Sequence, residues 1–508
     1  VTKTDISPFV RNAITVSIML ATVMNSLDTT IANVALPHMQ GSVQASQEQI
    51  SWVLTSYILA SAIMTPMTAW LAARFGRKKL FLISIALFTG ASVLCGIANS
   101  LWEIVLFRVL QGIGGAALIP LSQAELLDIN PPERHGQAMA IWGAGAVVGP
   151  ILGPVLGGYI TEHLTWRWVF LINLPVGICA FLGVLFFIKQ EKEGVARPFD
   201  FIGFGALTLA LAGLQLMLDR GPTRDWFSAI EIWIYLVIAV LGVYWFVIHT
   251  MTTKHPFFDP RVFADGNFVV SSTVGFFMGT MLFGSLALLP TMMQTLMGYP
   301  VTTTGLISMP RGLGAFASMF LVGQLINRVS ARSLALVGLM LNGAGLYLMT
   351  LINLQMDSAL IIWSGVLMGL GTGLIFIPLS ALAFATLPPV LRTEGASLFT
   401  LIRNLGGAVG ISLLQAGHLN GLETARAGFV QNIRPDNPNV LASGIDLTTQ
   451  MGQAMADGFV NRQAAMQAYV DDFRILVLVS IFSVPLLLLV RTPKKNPNAP
   501  KVAHAVAD

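Results

Sequence analysis

Apolar runs long enough to cross a bilayer recur along the whole chain, and this recurrence limits the possible fold more than any other feature. A membrane-crossing helix needs ~20 such residues. Fourteen segments qualify, near 12–36, 50–73, 79–98, 101–127, 137–160, 168–188, 200–218, 229–249, 267–290, 303–326, 333–352, 358–384, 396–417 and 473–490. Only 11% of the 508 residues are charged and 55% are hydrophobic, whereas a soluble domain carries about 25% charged residues. Such a chain cannot cover a surface that faces water, so most of its helices must face lipid. The expected fold is an all-α integral membrane protein with fourteen transmembrane helices.

The arrangement of charge excludes other classes. The formal net charge of +4 is spread through short loops, with none of the clustered basic face that marks a nucleic-acid surface. Cys95 and Cys179 both sit in apolar runs and suggest neither a disulfide framework nor a metal site. The first apolar run is too long for a cleavable signal and is followed by more of the same. No nucleophile–base pair, metal cluster or GxxxxGK[ST] loop is evident, so neither an enzyme nor a cofactor is expected.

Lys and Arg give an orientation. With both termini in the cytoplasm, the inner loops hold nineteen basic residues and the outer loops seven, a clear positive-inside bias. The only long outer loop then runs over 418–472. Its later part, "TTQMGQAMADGFVNRQAAMQAYVDDF", has helical composition, with Met451, Met455 and Phe459 on one face. Before it, "RPDNPN" (434–439) is a breaker.

The chain also repeats itself. "AWLAARFGRK" (69–78) aligns with "GQLINRVSAR" (323–332), and "IPLS" occurs at 119–122 and at 377–380. Each "IPLS" is followed by a Pro-Pro pair and then a glycine, Gly136 or Gly395, and "VALP" ending at Pro37 parallels "LALLP" ending at Pro290. All offsets fall between 253 and 259. The chain therefore reads as two parallel six-helix repeats, 1–190 and 261–508, separated by two additional helices within 191–260. Parallel repeats about an axis along the membrane normal are a transporter design, with substrate held between the halves.

Charges inside the spans are then the candidate functional groups. Asp28 is the only charge between Asn12 and Pro37, and a carboxylate at membrane depth costs ~2.5–3.5 kcal/mol. Its counterpart in the second repeat is Met281, so the fold does not require the acid. Counting at 1.5 Å per residue puts Asp28 and Arg108 about 13 and 10 Å from the outer ends of their helices, where they could share one polar cavity. A carboxylate poised between burial and a nearby cation can take up and release a proton; the alternative is a static structural pair. Asn25, Asn33, Gln111, Gln123, Glu125 and Arg403 are the candidate lining of a substrate pathway. Glu125 lies near a helix end, where it could equally snorkel to the interface. Arg311 and Arg403, the intramembrane cations of the second half, could contact substrate or hold helix-end carbonyls.

In "GAGAVVGPILGPVLGG" (143–158), Gly145, Gly149, Gly153 and Gly157 share one helical face. Small residues at that spacing admit another backbone, while Pro150 and Pro154 each remove a backbone donor. The expectation is a close-packed seam at the pathway. The loop "RFGRKK", with Arg74, Gly76, Arg77 and Lys78, reads as a lock on the inner side.

Together these motifs resemble the major facilitator superfamily, in its fourteen-helix drug:proton antiporter branch and most closely the EmrB-type exporters. "LDTTIANVALP", "RVLQGIGG" (108–115) and "GAVVGPILGPVLGG" match the motifs of helices 1, 4 and 5, with "WRWVFLINLPVG" (166–177) and "LDRGPTRDWF" (218–227) as further similarities. The resemblance implies proton coupling at Asp28 and Arg108 and export of amphipathic drugs or toxic compounds by alternating access. It further implies a bacterial inner membrane, a periplasmic membrane-fusion adaptor and an outer-membrane channel. Ala69 and Ala73 stand where the family's helix 2–3 motif has glycine and aspartate, so a relay through that acid does not carry over. Alternatives are export of a single metabolite or siderophore and, in another class, a membrane receptor or scaffold without turnover.

Overall fold

The computed structural model describes residues 7–491 apart from 46, 51, 132–133, 191–197, 255, 327, 389–390, 435–436 and 438–445. Lys3, Lys192, Arg197, Lys494, Lys495 and Lys501 of the charge count, Pro132 and Pro389 of the paired prolines, and most of "RPDNPN" lie outside the described residues. The described residues form helices and no strand. The long helices are α1 (Pro8–Ser42), α2 (Trp52–Phe75), α3 (Arg77–Ile97), α4 (Leu101–Asp128), α5 (His135–His163), α6 (Trp168–Phe187), α7 (Phe201–Arg220), α8 (Ile230–Thr252), α9 (Gly266–Leu296), α10 (Val301–Leu325), α11 (Ala331–Met349), α12 (Ser358–Ala385), α13 (Arg392–Val430) and α14 (Gln450–Leu489). Thirteen are long and apolar enough to cross a membrane. The other is α5, whose described apolar stretch is shorter.

Local chemistry sets the helix starts. Ser100 Oγ accepts from the Glu103 amide at 3.3 Å while the Glu103 carboxylate reaches back to the Asn99 amide at 2.8 Å. This reciprocal cap opens α4 after only three residues. Asp200, Asp265, Ser330 and Thr449 cap α7, α9, α11 and α14 by accepting from the amide three residues on. Pro290, Pro310, Pro378 and Pro485 all lie inside helices, which is tolerated at membrane depth where neighbouring helices re-satisfy the freed carbonyls.

The two halves repeat in packing as well as in sequence. α1 packs on α5 and α9 on α13; α4 packs on α2 and α3, as α12 does on α10 and α11. Between the halves, α5 lies against α10, and α13 meets the α2 segment around Thr65–Phe75. Trp142 of α5 stacks on Phe376 of α12, with ring centroids 5.8 Å apart, at the membrane end that carries the termini. The inserted α7 and α8 pack through small residues, Gly213 against Ala239 and Gly242 against Ala210. α8 turns Val237, Leu241, Tyr244 and Trp245 outward, a face suited to lipid. α7 bonds to both halves: Thr55 Oγ1 of α2 donates to Asp219 at 2.9 Å, and Ser412 Oγ of α13 donates to the Leu218 carbonyl at 2.8 Å.

The stretch 418–472 is not a loop at either end. α13 continues to Val430 and α14 begins at Gln450, giving helices of 39 and 40 residues, each about 60 Å long at 1.5 Å per residue against ~30 Å of hydrocarbon. No proline interrupts either extension, and polar contacts hold the pair where lipid no longer can. His418 bonds Asp472 at 2.8 Å, and Arg426 donates to Asp457 at 2.8 Å. The hairpin therefore projects beyond the membrane at the end opposite the termini, with Met451, Met455 and Phe459 exposed along one face.

Candidate functional site

Asp28 lies at the centre of the first half, with no exposed surface. Arg108 and Gln111 are one turn apart on α4 and so share a face, and both point at it. Arg108 Nη1 donates to Asp28 Oδ2 at 2.6 Å, and Gln111 Nε2 donates to Asp28 Oδ1 at 2.8 Å. A third donor comes from α6: Asn173 Nδ2 lies 3.1 Å from Asp28 Oδ1. Arg108 also donates to Gln111 Oε1 at 2.9 Å and, through Nε, to the Val53 carbonyl of α2 at 2.9 Å. Its guanidinium carbon sits 4.2 Å from the ring centroid of Tyr57. Asn173 reaches Ser92 Oγ of α3 at 3.0 Å. Five of the first half's six helices thus join one polar network around this carboxylate.

Such a network is costly to bury and depends on every member. Removing one partner of a buried ion pair costs about 3–5 kcal/mol, because the other charge is left uncompensated. The bonds from Arg108, Gln111 and Asn173 tie α1 to α4 and α6 through this one carboxylate.

Sequence reading and structure agree on Asp28 and Arg108 as neighbours, but they differ on several others. Gln111, a candidate pathway residue, is a ligand of the Asp28 carboxylate. Asn25 is buried and donates to the Gly115 carbonyl at 3.0 Å, while Asn33 is exposed, Gln123 half-buried and Arg403 half-buried in the second half. Glu125 is only 4% exposed and so does not snorkel. Asn173, Tyr57 and Ser92 were missed. Asn173 had a legible signal, as the one amide in the apolar run "VFLINLPVG".

The glycine face of α5 meets α1, the helix that carries Asp28. A Cβ at Gly149 would collide with the Ser26 carbonyl group, one at Gly153 with Thr30, and one at Gly145 with the end of Met19. Thr30 Oγ1 donates to the Gly149 carbonyl at 2.9 Å, and Ser26 Oγ donates to that of Ala146. Gly157 accepts from Thr161 Oγ1 at 2.7 Å within the helix, and Pro150 and Pro154 lie along the same backbone. The other side of α5 faces α10, where Gly143 meets Met319 and Val155 meets Gly305. The expected seam is real, but it joins α5 to α1, and α5 in turn connects the Asp28 helix to the second half.

At the end that carries the termini, Gly76 adopts φ 80° between α2 and α3, a left-handed conformation that glycine accepts at no steric cost. This turn brings Arg77 to Asp128 at the end of α4, and Lys78 Nζ to the Leu185 carbonyl at 2.7 Å. Arg74 lies over the Trp70 ring. With alanine at 69 and 73, the acid that pairs with this basic loop comes from α4.

Comparisons with known proteins agree with this architecture. The family model described as Major Facilitator Superfamily matches residues 18–411. The Multidrug export protein EmrB of Escherichia coli (strain K12) is 34% identical over 459 residues, 90% of each chain. The Fatty acid resistance protein FarB of Neisseria gonorrhoeae is 32% identical over 94% of this chain and 96% of its own. Among solved structures, an inward-facing, unoccupied bacterial homologue of the human lysosomal transporter Spinster superposes with a TM-score of 0.58 at 19% identity, covering 96% of this chain and all of the other; that likeness concerns fold alone. These relatives and the repeated six-helix halves identify a membrane transporter of the drug-efflux kind and not an enzyme. With its two inserted helices and its carboxylate-centred first half, the chain belongs to the major facilitator superfamily, among the EmrB-type multidrug exporters.

Proposed function

We propose that this protein exports amphipathic compounds in exchange for inward-moving protons, by alternating access between its two halves. The observation that carries the reading is the Asp28 carboxylate, fully buried and held by three donors from two helices, in a helix whose repeat counterpart is the buried Met281. A group so costly to bury, at a position where the second repeat holds methionine, calls for a role in the work cycle. When ionised, it fixes α1 against α4 and α6. A proton entering from outside neutralises it, lets Arg108 withdraw and allows α1 to shift. α5, bonded to α1 through Ser26 and Thr30 and packed on α10 across the halves, transmits that shift.

On this reading the termini lie in the cytoplasm, the protein sits in a bacterial inner membrane, and the α13–α14 projection stands in the periplasm. Its exposed Met451, Met455 and Phe459 suit an apolar contact with a membrane-fusion adaptor that leads to an outer-membrane channel. Asn25, Gln123 and Glu125 remain candidates for the substrate pathway on the first-half side, with Asn33 nearer its mouth.

The test is Asp28→Asn in purified, reconstituted protein. It should insert and bind substrate, yet lose substrate export driven by a proton gradient. Export by the Asn variant at the normal rate under that gradient would falsify the proposal.

A further inference from the structure

The Arg108–Asp28 pair lies against two aromatic rings. The guanidinium carbon of Arg108 is 4.2 Å from the ring centroid of Tyr57 on α2 and 5.7 Å from that of Phe170 on α6. Both lie within the ~6 Å over which a ring attracts a cation. Tyr57 is 3% exposed and Phe170 fully buried, so bulk water screens neither contact. The backbone holds the nearer ring in place. Arg108 Nε donates to the Val53 carbonyl, one turn before Tyr57, at 2.9 Å. A Cβ at Gly112 would fall 2.5 Å from the Tyr57 carbonyl oxygen, so glycine there lets α2 come this close to α4. The Tyr57 hydroxyl and the Asn25 amide of α1 stand together, 3.0 and 2.8 Å from the place a Cβ of Gly115 would take.

The second repeat has no such ring. At the offset of 254 that aligns 69–78 with 323–332, Tyr57 falls on Arg311, just as Asp28 falls on Met281. The half without the acid is also the half without the ring.

A ring in this place does not act equally on the two charge states of Asp28. An aromatic face is partly negative, so it attracts the guanidinium and repels a carboxylate beside it. With Asp28 ionised, these effects oppose one another and the cation is already balanced. With Asp28 neutral, the repulsion is gone, and Arg108 is a buried cation held by two neutral acceptors, the Val53 carbonyl and Gln111 Oε1. The ring therefore favours the protonated carboxyl.

The other groups packed on the pair supply no charge that could replace it. α3 brings Ser92 and the Cys95 thiol, 3.8 Å from Gln111 Oε1; α4 brings Gln111 and α6 brings Asn173. α5 meets α1 here through its glycines. Among the described residues, the titratable groups that act on Arg108 besides Asp28 are Tyr57 and Cys95, both neutral near pH 7 by their ordinary values.

We propose that Tyr57 is a positioning residue for proton uptake: its ring holds the Arg108 guanidinium when Asp28 is neutral and so raises the proton affinity of that carboxyl. Phe170 acts in the same sense, more weakly because it is farther away. This deepens the export reading and rests on it for the use made of the proton; the effect on Asp28 rests on the ring and the ion pair alone.

The test titrates the full chain in lipid nanodiscs by infrared spectroscopy, following the carboxylic C=O stretch that is present in the wild type and lost in Asp28→Asn. Tyr57→Leu should move the midpoint of this band about half to one pH unit toward acid, a loss of proton affinity of about three- to tenfold. Tyr57→Phe keeps the ring and should recover the wild-type midpoint, while Phe170→Leu should shift it in the same direction by less. Phenylalanines carrying one, two and three ring fluorines, introduced at position 57, should lower the midpoint step by step, because fluorine weakens the negative face at nearly constant shape. That series decides the matter even where Tyr57→Leu fails to fold. A midpoint unmoved across the fluorinated series, or moved toward base by Tyr57→Leu, overturns the proposal. So does a wild type whose band never appears on acidification, since the protonated state would then not form. Proton-driven export in proteoliposomes separates this from the export reading. An unmoved midpoint with proton-driven export intact removes the role of Tyr57 and leaves export standing. A shifted midpoint in a protein without proton-driven export supports the role of the ring and removes export.

Discussion

Replacing Gly149 by alanine adds one methyl group at the closest approach of α5 to α1, and two effects compete. Alanine in place of glycine favours a helix interior by about 1 kcal/mol. Against this, the new Cβ would fall inside 3.0 Å of the Ser26 carbonyl group, a separation that real Cβ atoms essentially never show. To restore an ordinary contact of 3.4 Å, the two helices must part by about 1 Å, and overpacking of this kind costs typically 1–3 kcal/mol. The obstacle is backbone and cannot rotate away, so the clash outweighs the propensity gain. A difference of 1–3 kcal/mol between two conformations shifts their ratio about 5- to 150-fold, enough to hold an alternating transporter in one state. Neighbouring sites supply a graded series. Gly153 meets the Thr30 side chain, Gly145 meets the flexible end of Met19, and Gly90 on α3 has nothing within 4 Å. Thermal unfolding and transport rate of the purified variants should both rank Gly90→Ala at or above wild type, then Gly145→Ala, Gly153→Ala and Gly149→Ala. If Gly149→Ala melts and transports like wild type, the α1–α5 contact has no part in either stability or the transport cycle.

Other expectations concern the Asp28 network and the projecting hairpin. Arg108→Ala should cost about 3–5 kcal/mol of stability and abolish proton-coupled transport. Arg108→Lys should recover part of the stability, because an ammonium cannot reproduce the fork that joins Asp28, Gln111 and Val53. An unaltered pH dependence of transport in the alanine variant would separate the two residues. Asn173→Leu removes one hydrogen bond to a charged group, worth ~1.5–3 kcal/mol, and should alter the pH profile of transport while the protein still inserts; an unchanged profile would make Asn173 a packing residue. Replacing residues 425–465 with a short Gly-Ser linker should spare substrate-driven proton exchange in proteoliposomes but lose drug resistance in cells. Full resistance, or undiminished capture of the adaptor, would rule out docking at the hairpin.

The spans, the repeat and the central acid could be read from the sequence because each departs from what lipid permits. A charge in an apolar run stands out, and offsets between 253 and 259 at several places expose the duplication. What escaped was whatever depends on the third dimension. Tyr57 is an ordinary aromatic in a span until Arg108 lies on its face. Ser92 matters only because Asn173 reaches it from α6. The ends of α13 and α14 were misplaced because hydropathy marks where a helix leaves lipid, and these two continue as helices in a polar environment. Gln111 illustrates a further limit. A polar residue beside a pathway and one turned toward a buried ion look the same in one dimension.

α7 hydrogen-bonds α2 through Asp219 and α13 through the adjacent Leu218 carbonyl. A rod fastened to two bodies cannot follow both when they separate. If the proposed alternating access parts the halves at that end, one of these bonds must stretch or break, and the inserted pair would then act as a latch on the closed position.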